Sequence, residues 1–335
     1  MRAVKISGTG SYLPTRVVTN EEISPQLNSS PEWIYSHTGI ESRHVAAPDE
    51  SAASMGARAA QEAMSAAGAT PEEVGLVILA TTTPDYGSYP STACLVQETL
   101  GCKNAAAFDL AAACSGFVYG VEMAKGYLTS HPDQKVLVIG SEIISRTLDW
   151  FDRSNAMLFG DGAGAVVLEA AEVEGEMKTA SLLGSDGSGA LKIHREAGCR
   201  RQLGADPVHE TLHETAYPYL KMDGHGVFTF AVRKLDEVVS ALCAKVEMAP
   251  ESLDWIFPHQ ANLRIIDAVA RRMGLPLDKF YMHLKTIGNT SSASIPLCLD
   301  HAVRNGTLKA GMRIAMAGFG SGLTWAGALV QWPYL

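Results

Sequence analysis

The stretch Pro71-Glu72-Glu73-Val74-Gly75-Leu76-Val77-Ile78-Leu79 returns late in the chain as Pro250-Glu251-Ser252-Leu253-Asp254-Trp255-Ile256-Phe257, alike in kind and order. Each copy opens on proline and polar turn residues and runs into a short apolar segment, the pattern of a buried strand. Lys135-Val136-Leu137-Val138-Ile139-Gly140 is echoed by Met312-Arg313-Ile314-Ala315-Met316-Ala317-Gly318. Gly160-Asp161-Gly162-Ala163-Gly164-Ala165-Val166-Val167-Leu168 is echoed by Gly320-Ser321-Gly322-Leu323-Thr324-Trp325-Ala326-Gly327-Ala328-Leu329-Val330. The blocks recur at a spacing of about 178 residues, and self-similarity at one offset means two copies of one unit.

Around these blocks, strands are expected at 74–80, 135–140, 164–169, 252–257, 313–317 and 326–331, and helices at 52–67, 115–128, 232–246, 263–273 and 293–305. Alternating strands and helices argue for an α/β fold. The chain divides into halves 1–172 and 173–335, with the seam in the Glu-rich stretch 171–177. An irregular segment, 185–226, rich in Gly, His and Arg, precedes the second half's first clear helix. A connection that long is usually functional or mobile.

The 335 residues are 47% hydrophobic and 19% charged, ordinary for a globular protein with an ample core. A formal charge of −9 argues against nucleic acid as a partner. Six cysteines without a C-x-x-C pair read as reduced thiols, and the start of the chain shows no signal peptide, so a cytoplasmic location is expected. No apolar run reaches the roughly 18–20 residues of a membrane span.

Cys114 lies in Ala111-Ala112-Ala113-Cys114-Ser115-Gly116-Phe117, where a strand ending at Leu110 passes into a helix start. Unpaired N–H groups and the helix dipole there favour a thiolate. Asn289, in Gly288-Asn289-Thr290-Ser291, follows Cys114 at nearly the repeat spacing, which predicts that it occupies the mirror position. His259 follows the strand Trp255-Ile256-Phe257, at a strand end where ligand sites of α/β sheets gather. Alone, they read as a core thiol, a turn residue and a structural histidine. Together they suit acyl transfer: a thiolate attacks a thioester, while imidazole and amide hold an oxygen gaining negative charge. The glycine cluster 318–322 precedes a strand and is expected to bring a backbone N–H to that oxygen.

A competing motif is His209-Glu210-Thr211-Leu212-His213, which formally satisfies H-E-x-x-H and leaves a zinc protease as a remote alternative. Pro207 and Pro218 bracket it, and only Glu214 and His225 stand near as further ligands, so no metal is expected.

With Gly8-Thr9-Gly10-Ser11-Tyr12-Leu13-Pro14, Glu32-Trp33-Ile34, Thr38-Gly39-Ile40, the Cys114 and His259 segments, Phe159-Gly160-Asp161-Gly162-Ala163-Gly164-Ala165 and Gly288-Asn289-Thr290-Ser291, nearly the whole chain resembles the β-ketoacyl-acyl carrier protein synthase III family of the thiolase superfamily. The Cys-His-Asn set distinguishes this branch from elongating synthases, which look like Cys-His-His, and from thiolases, which use a second Cys.

The resemblance implies a duplicated fold of two pseudo-twofold-related halves layered α/β/α/β/α, a homodimer and a ping-pong condensation. Cys114 takes an acyl group from acyl-coenzyme A, with the N–H groups of Cys114 and Gly320 as oxyanion hole. His259 and Asn289 steady the enolate left when malonyl-acyl carrier protein loses carbon dioxide. Coenzyme A is a substrate, with no separate cofactor. The resemblance gives its contacts to Trp33, Arg153 and Asn262, with Phe319 beside the nucleophile and Tyr89 lining the acyl pocket across the dimer. Arg264, Arg271 and Arg272, on one helix face by their spacing, suit the acidic carrier protein. His37 stands where many relatives carry Arg beside the coenzyme A nucleotide, Ser321 interrupts a loop often all glycine, and 185–226 is longer than in compact relatives. A specialised synthase of secondary metabolism, or one joining long acyl chains, therefore stays open, as does a non-catalytic partner subunit.

Overall fold

The computed structural model describes residues 2–87, 89–175, 177–196 and 219–335. Two sheets form, each with the same strand order. In the first, Arg2–Tyr12, Gly162–Glu172, Lys135–Glu142, Val74–Ala80 and Ala106–Leu110 lie side by side. In the second, the order is Ala180–Ser185, Thr324–Gln331, Arg313–Gly320 and Trp255–Pro258, with Phe280 bridging Ile256 where the first sheet has a fifth strand. The directions match as well: two antiparallel pairings, then parallel ones.

Five layers result. Helix Ala52–Ala67 covers the outer face of the first sheet, and helices Gly224–Lys245 and Leu263–Met273 cover that of the second. Helices Gly116–Ser130 and Ser294–Arg304 lie between the sheets in a core that draws Ile78 and Val138 from one and Phe257 and Met316 from the other. Their sequences explain the placement: apolar and small residues surround them, and a helix apolar on several sides belongs inside. Likewise, Val74–Ala80 is buried at every position, as a strand covered on both faces must be. Helix boundaries follow local chemistry. Ser51 and Ser54 form a capping box ahead of Ala52–Ala67, which ends at Gly68 in the left-handed region.

The paired helices enter from matching turns. Ala113–Ser115 and Ser291–Ala293 are single 3₁₀ turns, and both Ala113 (φ 47°) and Ser291 (φ 50°) are left-handed. The mirror of Cys114 is therefore Ser292, not Asn289; Asn289 stands three residues earlier, in the strand-like approach to the turn. Each turn is cradled by the opposite sheet. A Cβ on Gly318 would lie 3.2 Å from the Cys114 carbonyl oxygen, and one on Gly140 2.4 Å from that of Ser292.

Other expectations shift. The glycine-led third block does not share the common offset: Gly140 faces Gly164 and Gly318 faces Ala326. The chain 143–161 makes that connection in the first half and residues 321–323 in the second. The helix expected at 232–246 begins at Gly224, capped by the Asp223 side chain, so the irregular segment is shorter than 185–226. Its described part holds a 3₁₀ helix, Gly187–Lys192, and a small ladder joining Ile193–His194 to Lys221–Met222. The His209–His213 motif and Glu214 lie outside the described residues. The strand expected to start at 252 starts at Trp255, because Pro250–Ser252 is a 3₁₀ turn.

Candidate active site

Cys114 lines a cavity of about 2020 Å3 together with His259, Asn289, Ser291, Phe319 and Gly320. The mirrored turn brings Ser291 to it, and Sγ donates to Ser291 Oγ at 3.3 Å. Burial pushes the thiol up to about 12; the Ser291 hydrogen bond opposes this and the charge of Glu142 adds to it. Burial therefore works against the thiolate that the helix start favours. Gly320 comes so close that a Cβ there would lie 2.6 Å from the Cys114 nitrogen, which brings the two backbones side by side.

His259, at the end of Trp255–Pro258, is 1% exposed, and burial lowers its pKa to about 3. Its N–H is held by the Ala317 carbonyl, its ring meets Phe319 edge-on at 5.4 Å, and Nδ1 lies 2.7 Å from Ser294 Oγ. The Gln260 N–H donates to that same hydroxyl, so the Ser294 proton is free to go to Nδ1. This arrangement leaves the proton of a neutral ring on Nε2, where it can serve as a donor.

Asn289 is fixed by its backbone to both sides of Phe159: its N–H donates to Leu158 O and its carbonyl accepts from Gly160 N–H. Oδ1 accepts from Ser291 N–H at 2.9 Å, so the amide NH2 is the part of the side chain left for the cavity. The cavity thus presents a thiol, an imidazole and an amide donor, drawn from both sheets. Such a set can accept an acyl group and hold an enolate oxygen.

At the outer end, Trp33 stacks on His37 (centroids 3.9 Å apart), and the Arg153 guanidinium lies 4.7 Å over the Trp33 ring. His37 lines the cavity. Asn262 caps helix Leu263–Met273 through Oδ1, and its Nδ2 donates to the His37 carbonyl, so its side chain ties two elements together. Arg264 and Arg271 line the same rim, whereas Arg272 turns to Asp236. Tyr89 is 86% exposed and does not line the cavity of its own chain. Ser321 donates to the Ile193 carbonyl and so anchors the loop that the glycines build.

Sequence reasoning missed Glu142, Ser291 and Ser294. Ser291 could have been found by applying the repeat offset strictly, since it mirrors Ala113. Glu142 showed one sign: a charged residue ending an apolar strand, at the edge where such sheets bind ligands. Among the described residues, no group of three or more His, Cys, Asp or Glu is placed to hold a metal.

Two layered halves with a cysteine at the central helix start, opposed by His and Asn, define a condensing enzyme of thiolase-like fold. The family model for 3-oxoacyl-[acyl-carrier-protein] synthase III matches residues 108–193, and the model for its C-terminal part matches 243–332. The β-ketoacyl-[acyl-carrier-protein] synthase III of Clostridium acetobutylicum is 42% identical over 333 residues, 99% of each chain. The crystal structure of 3-oxoacyl-[acyl-carrier-protein] synthase III from Aquifex aeolicus superposes with a TM-score of 0.86 at 40% identity, covering 98% of this chain and 100% of that one. A priming β-ketosynthase from a polyketide pathway gives 0.88 at 37% identity, over 98% and 96%. The chain belongs to the β-ketoacyl-acyl carrier protein synthase III family, and it is an acyltransferase.

Proposed function

We propose that this enzyme condenses a short acyl-coenzyme A with malonyl-acyl carrier protein, starting a fatty-acid chain through an acyl-Cys114 intermediate. The observation that carries this reading is the convergence of Cys114, His259 and Asn289 on one cavity that His37 also lines, with Trp33 stacked on His37 and Arg153 over the Trp33 ring. In the first half-reaction, Cys114 attacks the thioester, and the N–H groups of Cys114 and Gly320 hold the tetrahedral oxyanion. In the second, loss of carbon dioxide from the malonyl group leaves an enolate. Its oxygen is held by His259 Nε2–H and the Asn289 amide, and its carbon attacks acyl-Cys114. A neutral histidine suits this step, since it donates without first having to lose a proton.

The substrate thioester serves in place of any cofactor, and the enzyme works in the cytoplasm. Trp33, His37, Arg153 and Asn262 hold coenzyme A, with Phe319 beside the nucleophile; Arg264, Arg271 and Arg272 face the carrier protein. We divide the chain at 172/173, where the strand Gly162–Glu172 ends and the next strand, from Ala180, joins the other sheet. A homodimer is supported by the edge strand Ala106–Leu110, which among the described residues pairs with no further strand and where Phe108 is 40% exposed. The opposite edge is covered, because Leu335 donates to Val4 O and Ile6 to Pro333 O. An uncovered edge is a template for pairing with a second copy, which would bring Tyr89 to the partner's cavity.

The second reading, a priming synthase of a specialised pathway, is favoured by the likeness to the polyketide enzyme. A panel of straight, branched and long acyl-coenzyme A donors, read by intact mass of acyl-Cys114, separates the two. Acylation by long or branched donors alone would overturn the short-chain reading.

A further inference from the structure

Behind Cys114 lies a buried carboxylate that the condensation, as described, leaves unused. Glu142 ends the strand Lys135–Glu142, is 0% exposed and accepts hydrogen bonds on both oxygens. Oε2 receives Thr81, Thr82 and Thr83 hydroxyls and the Thr82 N–H, at 2.8–3.3 Å. Oε1 lies 2.9 Å from Ser291 Oγ and from Ser292 Oγ, and the single Ser292 proton also has the Ala80 carbonyl within 2.8 Å. Four donors on Oε2 and the Ser291 hydroxyl on Oε1 make Glu142 the acceptor at this point. Ser291 has a single hydroxyl proton and directs it to Glu142, so toward Cys114 it acts as acceptor of the S–H. Thiol, hydroxyl and carboxylate form a directed chain with links of 3.3 and 2.9 Å.

We propose that Ser291 and Glu142 take the proton of Cys114 while it is acylated, Ser291 as a catalytic residue touching the sulfur and Glu142 as the positioning residue behind it. The proposal rests on the acyl-transfer reading above. As the bond from Sγ to the thioester carbon forms, the S–H proton passes to Ser291 Oγ, and the Ser291 proton passes to Glu142 Oε1. The carbonyl electron pair moves onto oxygen. When the oxyanion collapses, the bond from carbon to the coenzyme A sulfur breaks, and that sulfur takes the proton returning from Glu142 through Ser291. Glu142 ends as it began, and no other reactant is needed.

Two facts favour this route. The hydrogen bond of Cys114 goes to Ser291, and burial makes the His259 ring a weak proton acceptor. Ionising the thiol first would also place a second anion beside Glu142, whereas the relay moves one negative charge from Glu142 to the oxyanion hole and adds none.

The test compares Glu142→Gln, Glu142→Asp and Ser291→Ala with the unaltered protein in two reactions of Cys114. One is acylation by acetyl- or butyryl-coenzyme A, followed by quenched-flow mass; the other is alkylation by iodoacetamide across pH, which needs the thiolate alone. Glu142→Gln and Ser291→Ala should slow acylation by roughly 10²–10⁴-fold, the worth of general base catalysis. The double variant should be no slower than either, and Glu142→Asp should recover part of the rate. Iodoacetamide should behave oppositely in Glu142→Gln. Its pH midpoint moves down, because a negative charge has gone and the Ser291 hydroxyl can now donate to sulfur. A merely structural loss slows both reactions together, and that result overturns the proposal, as does acylation within threefold of normal in either single variant. If the unaltered protein accepts no acyl-coenzyme A, the functional reading fails instead; the alkylation midpoint then still decides, and an unmoved one rejects the relay.

Discussion

Ser294 Oγ lies 2.7 Å from His259 Nδ1, across a gap of 35 residues in sequence. Since the Gln260 N–H already donates to that hydroxyl, the direction of its own proton fixes which histidine nitrogen is a donor. Replacing Ser294 with Ala should leave acylation of Cys114 within about twofold, because His259 has no part in that step. Decarboxylation and condensation should fall roughly 10- to 100-fold as the ring samples the wrong tautomer. Release of carbon dioxide from malonyl-acyl carrier protein by the acylated variant measures this, and equal loss in both half-reactions would reject the tautomer argument.

Cys114→Ala should abolish labelling by radioactive acyl-coenzyme A, whereas Asn289→Ala should acylate normally and fail to condense. The split follows from geometry: Asn289 spends Oδ1 on Ser291 N–H and keeps only its amide donor for the cavity. Labelling that survives the loss of Cys114 defeats the mechanism.

How much of this was legible in the sequence differs from residue to residue. The repeat and the strand-end position brought out Cys114, His259 and Asn289, because helix starts and strand ends leave local signals. Helices 52–67 and 263–273 were placed to the residue, since Ser51, Gly68, Asn262 and Gly274 mark their ends. The assignment of Asn289 as mirror of Cys114 failed because matching spacing roughly is weaker than matching turn geometry. Glu142 was invisible for a different reason. Its contacts with Ser291 and Ser292 span 149 and 150 residues and join the end of one half's strand to the other half's turn. Nor could sequence reveal that burial opposes the thiolate at Cys114, because desolvation depends on walls contributed by both sheets.

Gly320→Ala should cost both activity and stability. The new methyl would lie 2.6 Å from the Cys114 nitrogen and 2.9 Å from the Ala113 Cβ, neither of them the end of a flexible side chain. Overpacking of this kind costs about 1–3 kcal/mol. The same displacement moves the Cys114 N–H, so acylation should fall at least about tenfold, the rate equivalent of about 1.4 kcal/mol in the barrier. Urea unfolding and acylation rates measure the two effects; normal acylation would remove Gly320 from the oxyanion hole.

Acid should destabilise the fold through two buried histidines. Burial lowers His259 to about 3; it also lowers His283 to about 4, where the charges of His301 and His44 contribute. Both rings are neutral at pH 7 in the folded protein and largely so in the unfolded chain. Below the ordinary value of 6.5 the unfolded chain takes up protons that the folded one refuses. The stability present above that value is therefore lost as the pH falls toward the folded values. The loss is on the order of several kcal/mol, since each tenfold difference in proton affinity between the two states is worth about 1.4 kcal/mol. Unfolding free energies at pH 7, 5.5 and 4.5 should decline, and the decline should be shallower in His259→Gln and His283→Gln variants.

The basic rim should act through one arginine more than through the others. Ion pairs hold Arg271 to Asp267 and Arg272 to Asp236, both at 2.6 Å, while among the described residues none holds Arg264, which lines the cavity rim. An arginine already paired to its own chain gives up part of its attraction for an acidic partner. Arg264→Glu should therefore raise the KM for malonyl-acyl carrier protein by roughly tenfold, equivalent to about 1.4 kcal/mol. It should leave acylation by acyl-coenzyme A nearly unchanged, and the defect should shrink as salt rises and screens the encounter. Arg272→Glu places a carboxylate beside Asp236 and should cost stability before it costs binding. If Arg272→Glu and Arg264→Glu raise KM equally at unchanged stability, the carrier protein reads the whole helix face and not the unpaired arginine at the rim.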